Sequence, residues 1–217
     1  MKEALVLIGG GGHCRACIDV IEAAGNFSIA GIVDVNEKKG SNVLGYPLFA
    51  GDDELPSLMS AYRYFLITIG QVKSPDKRRQ LFAMLKGLGA ELPSITSPSA
   101  RVSDHAAIGE GAIIMHGAIV GPGSRIGRNC IINTGAVIEH DCVIEDHCHI
   151  STGAVVNGEC RIGGGTLVGS GSVLNNGLTI SGNTIVGAGA VVTRSIDESG
   201  TYVGVPARKI VLPGRAV

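Results

Sequence analysis

Every sixth residue from Val102 to Val192 is Val, Ile or Leu. The series runs Val102, Ile108, Ile114, Val120, Ile126, Ile132, Ile138, Ile144, Ile150, Val156, Ile162, Val168, Leu174, Ile180, Val186, Val192. These three types make up about a quarter of the chain, so sixteen consecutive hits arise by chance at odds well below about one in a million. Four residues after each aliphatic from Val102 to Val186 comes a small side chain, from Ala106 and Ala112 through Cys130, Cys142, Cys148 and Cys160 to Thr184 and Ala190, with Leu178 the one bulky occupant. Glycine recurs directly after the aliphatic at Gly109, Gly121, Gly127, Gly163, Gly169 and Gly187, which reads as a supply of backbone conformations costly to other residues. One large and one small inward residue per hexad suits a triangular coil. Three hexads complete a turn, and about five turns stack so that each flat side is a parallel sheet. A single hexad cannot order itself. Burying its aliphatic gives roughly 1.5–3 kcal/mol, whereas ordering six residues costs roughly 9 kcal/mol. Stability must therefore come from ladder hydrogen bonds and apolar contacts between turns. The frame breaks at Thr96 and at Glu198, so the repeat has edges.

Composition agrees with a regular stack. Hydrophobic residues are 45% of the chain, yet there is no Trp, 4 Phe and 4 Tyr beside 33 Gly. An irregular core would use aromatics to fill its space. The formal net charge of -1 leaves no electrostatic footprint for nucleic acid or an anionic membrane. The first apolar stretch, Ala4 to Ile8, is too short for a signal-peptide core or a membrane span. A cytoplasmic protein without membrane insertion is expected.

Residues 1–97 follow a different rule from the second domain, 98–217, which includes a C-terminal tail; Ser94 to Ala100 is the linker. Ala4 to Ile8 reads as a buried strand, followed by Gly9-Gly10-Gly11-Gly12-His13 and a helix through Ile18 and Ile21 that ends near Gly25. Ile29 to Val33, ending at Asp34, and Tyr64 to Ile69, closed by Gly70, read as further strands. Ser74-Pro75-Asp76 starts a second helix whose apolar face is Leu81, Phe82, Leu85 and Leu88. Such alternation implies a small Rossmann-like α/β domain with a parallel sheet. A glycine-rich turn between strand and helix gathers free N–H groups and the helix dipole, which suits an anionic group. The dinucleotide fingerprint is incomplete, because Cys14 holds the third glycine position counted from Gly9. A nucleotide diphosphate carried on a substrate uses the same physics and fits better than a nicotinamide cofactor. The plainer alternative is that the glycines only make a tight turn.

Four of the six cysteines fall in the small inward slot, where a thiol is a compact hydrophobe. Cys14 and Cys17 have no second pair, so no zinc site is expected. His105, His116 and His147 lie at turn or outward offsets and read as solvated. His140 differs, standing between Glu139 and Asp141. An imidazole flanked by carboxylates has the basicity-raising partner that a general base near neutral pH needs. His149 falls half a turn further round the coil and points to a different edge of the prism.

The strand–glycine turn–helix start, the run from Ile131 through Asn133-Thr134-Gly135 to Glu139-His140-Asp141-Cys142, and the ending Val203-Gly204-Val205-Pro206-Ala207 resemble one branch of the hexapeptide-repeat acyltransferases. That branch, the NeuD/PglD-like acetyltransferases, carries a nucleotide-sugar-binding Rossmann-like domain ahead of the β-helix. The resemblance implies an α/β N-terminal Rossmann-like domain followed by a left-handed parallel β-helix, an exception to the usual right-handed crossover. It implies a homotrimer, acetyl-CoA as co-substrate and no metal. By the same resemblance His140 is the general base and Asp141 the carboxylate that orients it. His149, Gly158, Gly169 and Ser170 match positions along acetyl-CoA, and Gly11, Gly12, His13, Asp34 and Gly70 match positions around the nucleotide sugar. Two departures, Cys14 and the stretch Gly70-Gln71-Val72-Lys73-Ser74-Pro75, both fall in the nucleotide half.

The reaction favoured is direct acetyl transfer to the 4-amino group of a UDP-linked amino-sugar of the bacillosamine type. The alternative is O-acetylation of a sialic acid or related sugar. A carbonic anhydrase on this scaffold would need two metal histidines five residues apart, and positions 105, 116, 140, 147 and 149 include no such pair. A non-catalytic solenoid would bind no acetyl-CoA.

Overall fold

The computed structural model describes residues 2–210; the C-terminal tail, 211–217, lies outside the described residues. The first domain contains β1 (Glu3–Ile8), α1 (Gly12–Ala24), β2 (Phe27–Asp34), β3 (Asn42–Val43), β4 (Tyr46–Gly51), α2 (Leu55–Leu58), β5 (Tyr64–Ile67) and α3 (Asp76–Gly87). Its sheet has the order β3-β4-β2-β1-β5. All neighbours are parallel except the β3–β4 hairpin. The interior strand β1 is fully buried from Leu5 to Ile8, which is why it reads as a continuous apolar run rather than an alternating one. β5 stops at Ile67, short of the expected Ile69. Thr68 turns its hydroxyl onto the carbonyls of Ile8 and Gly9, at 3.1 and 2.7 Å, and ties the strand end to the glycine turn.

From Ile95 onward the chain is a β-helix of three sheets with 8, 6 and 5 strands, parallel throughout except that Arg208–Ile210 runs antiparallel to Thr201–Val203 at the end of the first face. The first face carries Ile95–Thr96, Ile113–Ile114, Ile131–Ile132, His149–Ile150, Leu167–Val168 and Ile185–Val186. The second carries Arg101–Val102, Ile119–Val120, Val137–Ile138, Val155–Val156, Val173–Leu174 and Val191–Val192. The third carries Ala107–Ile108, Arg125–Ile126, Val143–Ile144, Arg161–Ile162 and Thr179–Ile180. Register is set by the 18-residue coil: Ile131 pairs with Ile113 and His149, and Val137 with Ile119 and Val155. The aliphatic slots from Ile114 to Val192 share one core with the small slots, among them Ala112, Cys130, Cys142 and Cys160. Thr96, where the frame breaks, is still part of a strand beside Ile114. The last coil is shorter than the rest, with Ile185 opposite Thr201.

The glycines divide by cause. Those directly after the aliphatic are not in left-handed backbone; a Cβ on Gly109 would lie 2.6 Å from the backbone carbon of Gly127 in the next coil. Close approach of coils, not conformational freedom, requires them. The left-handed positions come two residues later at the corners, for example Gly171 at φ +64 with open space where a Cβ would be.

The α/β domain sits on the first face. Ile95, Ile113, Met115 and Ile131 join Cys14, Cys17, Ile18 and Ile21 of α1 in one buried cluster. Beyond this apolar patch the junction is polar. Arg78 of α3 is 1% exposed and donates to the carbonyl and side-chain oxygens of Asn129. It also reaches the Gln71 side chain at 3.4 Å and the His147 carbonyl at 3.5 Å. Gln71 continues the grip by donating to the Gly165 carbonyl at 2.8 Å. Asn129, His147 and Gly165 are corner residues one coil apart, so three successive turns are held.

The two glycine classes predict different costs. Gly171→Ala strains only the backbone and should cost about 1 kcal/mol. Gly109→Ala forces a coil to move and should cost about 1–3 kcal/mol, or more. Urea denaturation of both variants checks the ranking, and equal losses would contradict it.

Candidate active site

His140 and Asp141 stand at the corner between the second and third faces. His140 Nδ1 lies 3.0 Å from Asp141 Oδ2, and both side chains are exposed. With the Nδ1 proton shared with the carboxylate, Nε2 keeps its lone pair outward. The Asp141 hydrogen bond, followed by the charges of Asp141, Glu159 and Glu139, raises the imidazole above its ordinary pKa. The coil period prepares the ground on both sides. Gly158, one turn beyond His140, is where a Cβ would come within 2.5 Å of Nε2, so the ring lies over bare backbone. Gly123, one turn before Asp141, is pressed by the Asp141 carboxylate in the same way. Asp141 is itself left-handed at φ 56, in a column of corner residues that includes Gly123, Gly177 and the likewise left-handed Glu159. Such a conformation costs an acidic residue roughly 1–2 kcal/mol, and strain of this kind collects at functional positions.

A cavity of about 240 Å³ lies in the α/β domain and is lined by Gly11, Gly12, His13, Asp34, Lys38 and Gly70 among others. A Cβ on Gly11 or Gly12 would meet nothing within 4 Å, so the fold itself does not require glycine there. Gly70 packs on the His13 side chain. His13 Nε2 is buried without a hydrogen-bond partner among the described residues. Burial, and then the nearby Arg78 charge, lower the His13 pKa to about 4. All five residues expected around a nucleotide thus meet at one pocket.

His149 is not at a prism edge. It faces outward on the first face, 7% exposed under the α/β domain, with its ring 6.0 Å from that of His13. Nδ1 lies 3.2 Å from the Gln71 carbonyl and Nε2 3.1 Å from Asn133 Nδ2. A proton on Nδ1 satisfies both contacts. Burial, with smaller contributions from His13 and Arg78, lowers its pKa to about 3. Two other histidines are also not solvated as expected. His147 hydrogen-bonds Asn129 at 3.0 Å and meets the edge of Phe82, with burial lowering it to about 4. His116 bridges Ser97 at 2.6 Å and Asp19 of α1 at 3.0 Å. His105 is exposed. Gly169 and Ser170 belong to the corner between the first and second faces, one corner away from His140 and Gly158. Within one chain the expected acetyl-CoA positions are therefore split, with Gly158 on one edge, Gly169 and Ser170 on another, and His149 buried on a face.

Among the described residues no group of three or more His, Cys, Asp or Glu is placed to hold a metal ion. No helix among them is long and apolar enough to cross a membrane. Sequence reasoning missed Gln71, Arg78, Asn133 and Lys38. Arg78 had a signal: it precedes Leu81, Phe82 and Leu85 by three, four and seven residues and so shares their buried face.

A hexapeptide-type β-helix with an imidazole–carboxylate pair on one edge, joined to an α/β domain with a glycine-turn pocket, defines an acyltransferase. The PglD N-terminal domain model matches residues 4–85, and the bacterial transferase hexapeptide (six repeats) model matches 105–140 and 123–158. No match was found among curated proteins. Solved structures do match. The acetyltransferase domain of PglB from Neisseria gonorrhoeae is 32% identical, with 96% of this chain and 100% of that one covered at a TM-score of 0.90. PerB from Caulobacter crescentus, in complex with CoA and GDP-perosamine, is 34% identical, with 97% and 99% covered at 0.89. WeeI from Acinetobacter baumannii is 25% identical, with 96% and 100% covered at 0.86. The chain belongs to the PglD/NeuD-like family of sugar acetyltransferases, with the left-handed β-helix expected of it.

Neutral burial of His13 and His149 makes stability depend on pH. An unfolded histidine titrates near 6.5, above the folded values of about 4 and about 3, so between those limits the unfolded chain binds more protons. Stability is therefore lost as pH falls below about 6.5, by up to about 1.4 kcal/mol per pH unit for each group. Melting temperature should drop between pH 7.5 and 5, and drop less in His149→Gln. A flat profile would contradict the buried neutral state.

Proposed function

We propose that the protein is an acetyl-CoA-dependent N-acetyltransferase acting on the amino group of a nucleotide-linked amino-sugar, with His140 as general base. The observation that carries this reading is the exposed His140–Asp141 pair, bonded at 3.0 Å, over the bare backbone of Gly158. The neutral amine attacks the thioester carbonyl while Nε2 of His140 takes a proton from the nitrogen. The N–H of Gly158, which makes no hydrogen bond among the described residues, is the candidate donor to the tetrahedral oxyanion. Collapse breaks the carbon–sulfur bond, and the imidazolium returns its proton to the departing thiolate of CoA. Asp141 holds the ring in the required tautomer and stabilises its charged form.

The acceptor is bound through its nucleotide in the Gly11–Gly12–His13 pocket. Support comes from the open space over Gly11 and Gly12 and from GDP-perosamine in the neighbour at 34% identity. A UDP-linked 4-amino-sugar of the bacillosamine type is the first candidate acceptor and a GDP-linked one the second. Acetyl coenzyme A is present in one structure of the PglB acetyltransferase domain, which is 31% identical.

Topology supports a shared site. The corner with His140 joins the second and third faces, so it lies across the prism from the first face, which carries the α/β domain. A sugar held in one chain's pocket reaches the His140 of a neighbouring chain. The second face supports such an assembly: Ile119, Val137, Val155, Val173 and Val191 form an outward apolar ladder, with Ile119 43% exposed. A homotrimer of parallel prisms, its subunits meeting along this ladder, brings Gly169 and Ser170 of one copy beside His140 and Gly158 of the next.

Three outcomes are expected. In a thiol-release assay with acetyl-CoA and a panel of UDP-, GDP- and dTDP-amino-sugars, His140→Ala should lose at least about 100-fold in kcat; retention within threefold would remove the base assignment. Asp141→Asn should shift the acid limb of kcat/KM to lower pH, because the carboxylate raises the imidazole pKa. Mixing His140→Ala chains with chains blocked at the pocket by Gly11→Trp should restore activity that neither has alone. No restoration on mixing would argue for a site within one chain.

A further inference from the structure

We propose that Ser124 and Cys142, sealed inside the prism, are positioning residues for the transfer reaction: the Ser124 hydroxyl holds the turn that carries His140 and Asp141, and the Cys142 thiol holds the turn that carries Gly158. This rests on the reading of His140 as base and Gly158 as oxyanion donor. Both side chains are fully buried in the small slot, so neither can touch a substrate.

A corner of the coil can close on itself. The last N–H of its four-residue turn then donates to the first carbonyl, as from Ala136 to Asn133 at 3.0 Å and from Ala154 to Ser151 at 3.1 Å. Behind these turns the preceding coil presents an alanine, Ala118 and Ala136 respectively. The corner column of His140 begins the same way: the Ser124 N–H donates to the Gly121 carbonyl at 3.4 Å, with Ala106 behind it. The next two turns of that column differ. Ser124 Oγ stands in the gap of the turn 139–142, accepting from the Cys142 N–H at 3.0 Å and donating to the Glu139 carbonyl at 2.6 Å. Cys142 does the same one coil on. Its Sγ donates to the Asn157 carbonyl at 3.2 Å and takes the Cys160 N–H. Among the described residues neither turn keeps a direct bond between its ends. Each side chain thus sets the width of the turn in the following coil.

The direction of the carbonyl decides the rest. A trans peptide points its C=O and N–H opposite ways. With the Asn157 carbonyl drawn inward by the thiol, the Gly158 N–H faces outward, on the edge where a Cβ on Gly158 would lie 2.5 Å from His140 Nε2. The Glu139 carbonyl, drawn inward by Ser124, fixes the peptide plane from which His140 projects. A hydrogen bond on the carbonyl also polarises the amide and strengthens its N–H as a donor. Burial pushes the Cys142 thiol up to about 11, so the sulfur keeps its proton at neutral pH. The same insertion occurs away from the site. Cys148 Sγ donates to the Gly163 carbonyl at 3.3 Å, at the corner between the third and first faces, where the turn carries no group of the proposed chemistry. What distinguishes Ser124 and Cys142 is therefore what their turns carry.

Steady-state kinetics of thiol release from acetyl-CoA, with a UDP- or GDP-linked 4-amino-sugar at saturation, test this. Alanine at either position removes the donor and lets the following turn close directly, as it does over Ala106, so the chain folds while the turn contracts. Cys142→Ala should lower kcat about tenfold and leave KM for acetyl-CoA within about twofold. Cys142→Ser, which supplies the donor that Ser124 supplies one coil earlier, should recover kcat to within about threefold. Ser124→Ala should lower kcat about tenfold in the unmodified chain but less than about twofold in His140→Ala, where no imidazole is left to position. Cys148→Ala should keep kcat within about twofold. Unchanged kcat in Cys142→Ala, an equal loss in Cys148→Ala, or no recovery in Cys142→Ser would reduce the thiol to packing and overturn the proposal. So would a Ser124→Ala loss that persists in full in His140→Ala. If His140→Ala itself keeps its activity, the base reading falls and the Ser124 half with it, while Cys142 stands or falls on its own result. No turnover of either sugar by the unmodified chain would end both readings.

Discussion

The structure depends on one constraint: residues eighteen apart lie in register, at strand spacing, along the whole stack. Ile131 beside Ile113 and His149 is the backbone expression of it. A hexad that buries one aliphatic cannot order six residues alone, so each coil exists only by virtue of the next. The same period then serves the chemistry. It puts the glycine of position 158 against the ring of His140 and the glycine of position 123 against the carboxylate of Asp141. Neither glycine is explained by its own turn alone; each leaves space for a side chain one coil away.

Strain and burial divide along the same geometry. The corner at Asp141 uses an acid where Gly123 and Gly177 of the same column use glycine, and so gives up backbone comfort to hold an imidazole in one tautomer. On the opposite side the first face is closed by the α/β domain. There a buried guanidinium grips corner carbonyls and two histidines are held neutral. The charged form of a buried group is disfavoured unless paired, and Arg78, lacking a carboxylate, is held at its terminal nitrogens by carbonyl and amide oxygens, while its Nε has no partner among the described residues. Its charge adds to the burial that keeps His13 and His149 unprotonated. An exposed imidazole–carboxylate pair on one edge and a pocket with a neutral His13 on the far side are kept apart by a single prism.

Much of this was legible in the chain. Sixteen aliphatics at one period specify the coil, and the glycine turn after β1 specifies a helix start, found at Gly12. The imidazole between carboxylates was read as the base, and the structure places it exposed at a prism edge, 3.0 Å from Asp141. What was not legible came from tertiary packing. The β3–β4 hairpin hides because Gly45 and Pro47 interrupt its short apolar runs. His116 and His147 have outward offsets, yet docking of α1 and α3 covers them. The glycines after each aliphatic were read as conformational, although their backbone is ordinary and the neighbouring coil is what excludes a side chain. Lys38 gave no signal because its pairing with Asp34 depends on the short turn Asn36–Lys38 that follows β2.

In the proposed assembly, two chains build one site. A crystal structure with CoA and a nucleotide-linked amino-sugar bound tests it most directly. The sugar nitrogen should lie about 3 Å from Nε2 of a His140 belonging to a different chain from the glycine turn that holds its nucleotide. Finding the nitrogen beside the histidine of its own chain, or beside another base altogether, would contradict the account.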